Sequence, residues 1–585
     1  MIEERIARLQ EAMKKEGIDV YYLNTSDYHM SKYVPAYFRT IHYFSGFSGS
    51  LATLLVSEKE ACIFVDGRYH VQADAECLNH GIRVMKLGTK DTPDPIAYLK
   101  ENFKGRTVGL DGKRSSVKFA KALMKEGFRI RSLDIYSDLI KDRPPLRNGP
   151  IYELEKKYTG LSRKKKIAMI SYCLADRVHV VNNLESIAYL LNLRSDDIVH
   201  TPVFLSYLVI LEGEVYLFAD VKRFDSELLD RLYDDGVIIR PYESFYDFLK
   251  LIRNRQILID ENKVNYETYR AIRSRGNRIY NMRSLIEDMK AIKNPVEQEN
   301  LKLAHIYDGV AVLRFLMWLE DIDKSTISEF DAAKKIDELR LSYKAEDLSF
   351  GSIVAYNENA AQMHYYPNED KAAMLDNKGI LLFDTGGQYK EGTTDITRTV
   401  ALGEVDDEIR MYYTLVLKSL FNLCSVKFME GLSGNQLDIL ARKDLWERGV
   451  DYRCGTGHGV GYMLSVHESP PNIRYGHTEA GTEMAPIKAG MVSSDEPGVY
   501  FEGKYGIRLE NMILCKKDEC NEYGQFLSFE TLTMVPFDRR LIDLKYLDEK
   551  TIALVNGYHK TVYEKLLPYL NEEEAAFLRK ACEEL

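Results

Sequence analysis

The chain has 585 residues, 45% of them hydrophobic, and a formal net charge of −10. That length buries large cores in two to four domains, and an acidic balance without a long basic run argues against a nucleic-acid partner. Eight scattered cysteines form no CxxC pair, the nearest two being Cys515 and Cys520 in what reads as a polar loop, so free thiols in a reducing compartment are expected.

The N-terminal stretch places Ile2, Ile6, Leu9 and Met13 at helical spacing and ends at Gly17 before a strand-like run. It starts acidic and has no long apolar core, so it reads as a folding element and not as a signal peptide. Nowhere does the chain approach about 18 uninterrupted apolar residues, so no membrane span is expected and the expected location is cytoplasmic. A first boundary falls in KDRPPLRNGP, Lys141 to Pro150, where prolines, a glycine and charges break both periodicities. RKKK, Arg163 to Lys166, reads as a solvated helix start. A second boundary lies at Asn294 and Pro295, ahead of a helical pattern with Leu301, Ala304, Ile306, Val310 and Val312. The resulting domains are 1–150, 151–292 and 293–585, the first two alternating helical and strand-like segments as α/β layers do. From Leu541 onward the chain reads as two helices joined at LLPYLNEEE, with Asn571 capping the second. Tyrosine and leucine at helical spacing there read as core.

Five residues of the third domain stand in settings that suit metal. In GILLFDTGGQYKEGTTDITRTVALG, the apolar runs Ile380 to Phe383 and Ile396 to Val400 flank a Gly-rich loop like a hairpin, and Asp384 and Asp395 sit at their loop ends. His458 lies between glycines in CGTGHGVGYMLSVHESP, where an imidazole approaches a ligand closely. Glu496 and Glu510 flank a turn in VSSDEPGVYFEGKYGIRLENMIL. Taken singly, an Asp at a strand end is more often a turn-former or cap. Jointly, four carboxylates and one imidazole are hard oxygen ligands plus one nitrogen, which suit Mn²⁺, Zn²⁺ or Co²⁺ better than a thiolate-loving metal, and two divalent ions would neutralise the four charges. His364 in AAQMHYYP and His467 in LSVHESP are candidates to hydrogen-bond a scissile carbonyl or move protons.

The segments NENAAQMHYYP, DTGGQYKEGTTDITRT, GTGHGVGYMLSVHE and DEPGVYFEGKYGIRLEN resemble those of the Xaa-Pro aminopeptidases (aminopeptidase P) of the pita-bread metallopeptidases. Spacings of eleven from Asp384 to Asp395 and fourteen from Glu496 to Glu510 are similar to the long, three-domain form. Upstream, GFSGSLATLLV and VDGRYHVQADAEC resemble its first domain, and LESIAYLLNLRSDDIVHTPVFLSYLVI its second. The resemblance implies two N-terminal α/β domains of one fold followed by a pita-bread catalytic domain, an α/β (α+β) chain overall, and a homodimer. It implies that Asp384 binds one metal, His458 and Glu496 the other, and that Asp395 and Glu510 bridge them. Glu496 would also shuttle the proton, His364 and His467 would hold the carbonyl oxygen, and Arg508 and Tyr500 would line the pocket. Many members carry a third histidine four residues before the ligand histidine. Here that residue is Cys454, a pocket-lining candidate for which plain packing is the simpler role.

The implied activity is hydrolysis of the N-terminal Xaa-Pro bond, in peptides with proline second. That bond is a tertiary amide without N–H, so a protease that must bond the N–H fails on it. The competing readings are a prolidase acting on dipeptides, whose usual two-domain length is shorter; a creatinase-like amidinohydrolase, which lacks the full metal set; and a scaffold that binds peptides without cleaving them.

Overall fold

A computed structural model describes residues 1–273, 275–476 and 481–585. They form two compact units, Met1–Lys156 with Leu161–Asp288, and Lys157–Gly160 with Met289–Leu585.

The first unit contains two six-stranded sheets of one topology. In the first sheet β1 (Val20–Asn24), β2 (Thr53–Ser57), β3 (Ala61–Val65), β4 (Ile82–Lys86), β5 (Thr107–Leu110) and β6 (Arg129–Ser132) lie in the order β4-β3-β2-β1-β5-β6. In the second, β7 (Val178–Val181), β8 (Tyr207–Leu211), β9 (Glu214–Phe218), β10 (Val237–Arg240), β11 (Gln256–Ile259) and β12 (Arg278–Asn281) lie in the order β10-β9-β8-β7-β11-β12. β1 and β7 are each antiparallel to one neighbour and parallel to the other. Strands such as ACIFV are buried throughout, the near-continuous apolar run of a strand covered on both faces. The turns after β5 and β11 exchange backbone hydrogen bonds reciprocally: Val117 N donates to Val264 O and Tyr266 N to Ser115 O.

Helix α1 (Ile2–Lys15) buries Ile6, Leu9 and Met13, and Gly17 follows it at φ +62°. RKKK does open a helix, α2 (Arg163–Leu174), capped by Ser162, but only Lys164 and Lys165 are solvated. Arg163 is buried against Asp235, Glu153 and the Leu191 carbonyl, and Lys166 donates to Tyr189 O and Asn192 Oδ1. Helical periodicity turns positions 163 and 166 to one inward face, which a linear charge run conceals.

In the second unit, α3 (Pro295–Asp321) starts with a capping box in which Asn294 accepts from Val296 N and Glu297 N, while Glu297 accepts from Asn294 N. Antiparallel sheets follow, two of which bear Asp384 and His458. β13 (Ile353–Tyr356), β14 (Ile380–Thr385) and β15 (Ile396–Ala401) form one. The other has the order β16-β23-β22-β19-β17-β18, from β16 (Phe428–Met429), β17 (Gly457–Gly459), β18 (Glu468–Ile473), β19 (Val492–Asp495), β22 (Asn511–Asn521) and β23 (Gly524–Thr531). β20 (Gly498–Phe501) pairs with β21 (Tyr505–Arg508). Cys515 and Cys520 both lie on β22, Cys515 buried and Cys520 exposed, so this stretch is a strand and not a loop. Its alternation is hidden because β22 leaves the core halfway, with five buried residues followed by six exposed ones.

Helices α4 (Asp407–Cys424) and α5 (Gly434–Trp446) lie among these strands, and α6 (Glu549–Leu566) and α7 (Glu572–Ala581) close the chain, α7 capped by Asn571. Val555, Val562, Leu566 and Leu578 enter the same core as Ile507, Leu509 and Ile513. Ahead of α3, Lys290 Nζ and Lys293 Nζ approach Glu468 Oε2 and Oε1 at 2.6 and 2.5 Å, all three side chains at most 5% exposed. Glu468→Ala strands two buried cations and is expected to cost about 3–5 kcal/mol of unfolding free energy. Lys293→Met leaves one neutral pair and should cost clearly less. Equal losses in chemical denaturation would count against this charge arithmetic.

Candidate metal centre

Strand register gathers the five candidate ligands. β14 and β15 pair with Asp384 opposite Thr397. Opposed residues share a face, as do alternate residues of one strand, so Asp384, Thr397 and Asp395 face one side. β19 pairs with β22 so that Asp495 opposes Asn511, and β20 pairs with β21 so that Gly498 opposes Arg508, which is the same register. Glu496 and Glu510, between these pairs, therefore oppose each other. His458 N donates to Ser494 Oγ at 2.9 Å and Glu496 N to Thr456 O at 2.7 Å, which adds β17 alongside. Glu510 N donates to Thr397 O at 3.0 Å and ties the two halves together. The glycines around His458 are required for this approach: a Cβ on Gly457 would stand 2.1 Å from Ser494 O.

His458 Nε2 lies 3.4 Å from Glu496 Oε1 and 3.6 Å from Asp395 Oδ2. His458 Nδ1 is 2.9 Å from Gly459 O, an atom that only accepts, so Nδ1 carries the proton and Nε2 offers its lone pair to the acidic side. Ligand atoms of Asp395, His458 and Glu510 lie within 4.8 Å of one another. Asp384 is held from behind by Arg508, whose Nη2 donates to Asp384 Oδ2 at 2.6 Å while Nη1 donates to Tyr500 OH at 2.9 Å. Thr397 Oγ1 donates to Glu510 Oε2 at 2.9 Å, and Ser494 Oγ to Glu496 Oε1 at 3.2 Å.

The other oxygens carry the fit to metal. Asp384 Oδ1, Asp395 Oδ1 and Glu510 Oε1 are buried and have no hydrogen-bond partner among the described residues. Buried acceptors of this kind are costly unless something electropositive meets them. Burial, and then repulsion from Glu510, Asp384 and Glu496, raises the Asp395 carboxyl well above the ordinary range. Burial, followed by Glu496 and Asp384, does the same to Glu510 against the opposing Thr397 and Arg508. Three partnerless oxygens beside an imidazole nitrogen suit divalent cations bound by oxygen and nitrogen.

The remaining candidates are distributed around this set. The His467 ring lies 4.1 Å from that of His458, at an interplanar angle of 37°. His364 is half-buried, and the carbonyl of its neighbour Met363 accepts from Arg508 Nη2 at 3.4 Å. Gly506 lets the preceding segment close onto β21, since a Cβ there would stand 1.9 Å from Ala360 O. Burial raises the Tyr500 phenol, Arg508 opposes the rise, and half-buried Cys454 adds to it. Burial also works against the Arg508 charge, but Tyr500, Asp384 and Glu496 outweigh it.

Several supporting residues escaped the sequence reading. Thr397 and Ser494 were within reach, since each lies two residues from a candidate ligand on a strand and so shares its face. Arg442, on α5 (Gly434–Trp446), was not. It donates to Asp451 Oδ1, Tyr452 O and Cys454 O, each at 2.7 Å, and its partner Asp438 accepts from Thr456 Oγ1. This buried pair fixes the loop that leads into His458.

Carboxyls with raised folded-state values favour the fold while protonated, below their unfolded values, and lose that contribution as pH rises through the folded ones. Chelator-treated protein should therefore lose thermal stability as pH rises from about 4 toward neutrality. Re-added Mn²⁺, Zn²⁺ or Co²⁺ should restore it, by a margin that grows with pH. A margin that is flat from acid to neutral pH in thermal unfolding would refute the crowding.

Residues 299–517 match the model of metallopeptidase family M24, residues 5–141 and 142–297 match two creatinase/prolidase N-terminal domain models, and residues 525–585 match the C-terminal region of peptidase M24. A probable Xaa-Pro aminopeptidase P of Pyrenophora teres f. teres is 36% identical over 597 residues, covering 97% of this chain and 90% of the relative. Another, of Tuber melanosporum, is 36% identical over 608 residues, covering 98% and 97%. The solved X-prolyl aminopeptidase of Caenorhabditis elegans, described as a cytosolic enzyme with a di-nuclear active site, matches with a TM-score of 0.94 at 30% identity over 100% of both chains. With relatives matched over nearly their whole length and an acidic, histidine-containing centre where their metallopeptidase model lies, the chain belongs to the Xaa-Pro aminopeptidase P family of metallopeptidases.

Proposed function

We propose that this chain is a metal-dependent aminopeptidase that hydrolyses the N-terminal Xaa-Pro bond of peptides with proline in second position. The observation that carries the reading is the convergence of Asp395, His458 and Glu510 within 4.8 Å, with partnerless buried oxygens on Asp384, Asp395 and Glu510. Asp384, Asp395, His458, Glu496 and Glu510 would hold two divalent ions, Mn²⁺ first among Mn²⁺, Zn²⁺ and Co²⁺. When bound, such ions acidify a water and polarise the scissile carbonyl.

Around that chemistry the side chains have separate tasks. Glu496, whose Oε1 is already engaged by Ser494, accepts the proton of the attacking water and returns it to the leaving proline nitrogen. His467, beside the His458 ring, and His364 donate to the carbonyl oxygen as it becomes an oxyanion. Arg508 holds Asp384 and Tyr500 in fixed orientation, and Tyr500 and Cys454 line the pocket. The division into 1–150, 151–292 and 293–585 is supported by the ranges of the matched models. A cytosolic homodimer is proposed from family likeness, and no helix among the described residues is long and apolar enough to cross a membrane.

Release of the first residue from Xaa-Pro-Yaa tripeptides, measured beside Xaa-Pro dipeptides after chelation and metal re-addition, tests the reading. Metal-restored tripeptide cleavage is expected. Dipeptide preference would point to a prolidase, and silence with every metal to a binding scaffold. Asp395→Ala or Glu510→Ala should abolish turnover with most of the fold retained. His364→Ala and His467→Ala should lower kcat with metal content unchanged, and loss of metal in either would move that histidine into the ligand set.

A further inference from the structure

We infer that Arg398 and Tyr558 are positioning residues of the metal centre, through which helix α6 holds the backbone of Glu510 in place. The inference rests on the reading of Glu510 as a metal ligand. Arg398 lies on β15, three residues after Asp395, so strand alternation sends its side chain to the face opposite the carboxylates.

The guanidinium is fully buried there. Nη1 donates to Glu510 O at 2.6 Å and to Thr397 O at 3.0 Å. Nη2 shares its two hydrogens among Asn511 Oδ1, Val535 O and Tyr558 OH at 2.9, 2.8 and 2.9 Å, and Nε donates to Pro536 O at 3.3 Å. The Phe537 ring covers the guanidinium carbon at 4.1 Å. All six acceptors are neutral. No carboxylate among the described residues pairs with this buried guanidinium to offset its desolvation, so packing alone does not account for it.

Glu510 is thereby held at three points. Its N–H reaches Thr397 O, its carboxylate accepts from Thr397 Oγ1, and its carbonyl accepts from Arg398. Arg398 is in turn located by Tyr558 on α6, whose hydroxyl also stands 2.7 Å from Val535 O and 3.0 Å from Thr533 O. The run from β15 to Glu510 and on to α6 is one continuous path of hydrogen bonds. Ligand groups need placement within about 0.5 Å, which such a fork provides and a flexible ammonium does not.

The test uses two substitutions in the full chain. Arg398→Lys keeps the charge and loses the fork, and Tyr558→Phe removes one hydroxyl from the helix. Each protein is stripped with chelator and titrated with Co²⁺, followed by calorimetry and by the visible absorption of the bound ion, and kcat and KM are measured on an Xaa-Pro-Yaa tripeptide. We expect Co²⁺ to bind about 10-fold more weakly to Arg398→Lys and about 3-fold more weakly to Tyr558→Phe. The Co²⁺ spectrum should change in both, and kcat should fall with KM little altered. Wild-type affinity, spectrum and kcat in Tyr558→Phe, even with a lowered Tm, would make the contact merely structural and overturn the inference. Full retention in Arg398→Lys would overturn it too, by showing that charge alone matters. If Arg398→Lys does not fold, Tyr558→Phe decides. A wild-type chain that takes up no Co²⁺ overturns the metal-centre reading and this inference with it, whereas a binding wild type with unaffected variants overturns this inference alone.

Discussion

Mutual repulsion among Asp384, Asp395, Glu496 and Glu510 is the constraint around which the second unit is built. Two like charges about 4 Å apart at an effective dielectric near 20 repel by about 4 kcal/mol, so a few such pairs rival the whole stability of a domain. Each carboxylate is accordingly given one donor from the protein where the structure provides it: Arg508 for Asp384, Thr397 for Glu510 and Ser494 for Glu496. One oxygen on each of Asp384, Asp395 and Glu510 is left over. Those oxygens point to cations as the missing counter-charge, and they explain why so much of the surrounding core is devoted to holding backbone in place.

Buried arginines do much of that holding. Arg340 donates to Asp308 and to Thr385 Oγ1, beside Asp384. Arg398 grips the Glu510 carbonyl, and Arg442 gathers three groups of the loop before His458. All three are fully buried. An arginine offers five fixed donors, enough to bind carbonyls from several strands at once, and a lysine cannot imitate that geometry. The catalytic domain thus places its rigidity one layer behind its candidate ligands, and the last two helices belong to that layer because Val555, Tyr558 and Val562 of α6 and Leu578 of α7 share its core.

The first unit follows a different principle. Two sheets of identical strand order meet through reciprocal backbone bonds, and His29 at the junction bonds Asn182 O at 3.0 Å and Tyr242 OH at 2.9 Å, with burial lowering its basicity. No sequence repeat announces this duplication. A sheet topology depends on where apolar runs fall, and many sequences satisfy the same pattern.

Local, periodic features are legible in the residues alone. Helix α1, the capped start of α3, the paired runs at Ile380 and Ile396 and the two closing helices follow from spacing, caps and turn residues, and the candidate ligands are conspicuous because glycines and apolar runs isolate them. Tertiary structure alone decided what lies behind them. Arg163 and Lys166 look like a solvated charge run until the helix turns them inward, Cys515 looks like a loop residue until β22 enters the core, and Arg442 reaches a loop more than two helical turns away in sequence. The reason is physical: backbone periodicity is written in neighbouring residues, whereas the partner of a long buried side chain is selected by packing between segments that the sequence keeps far apart.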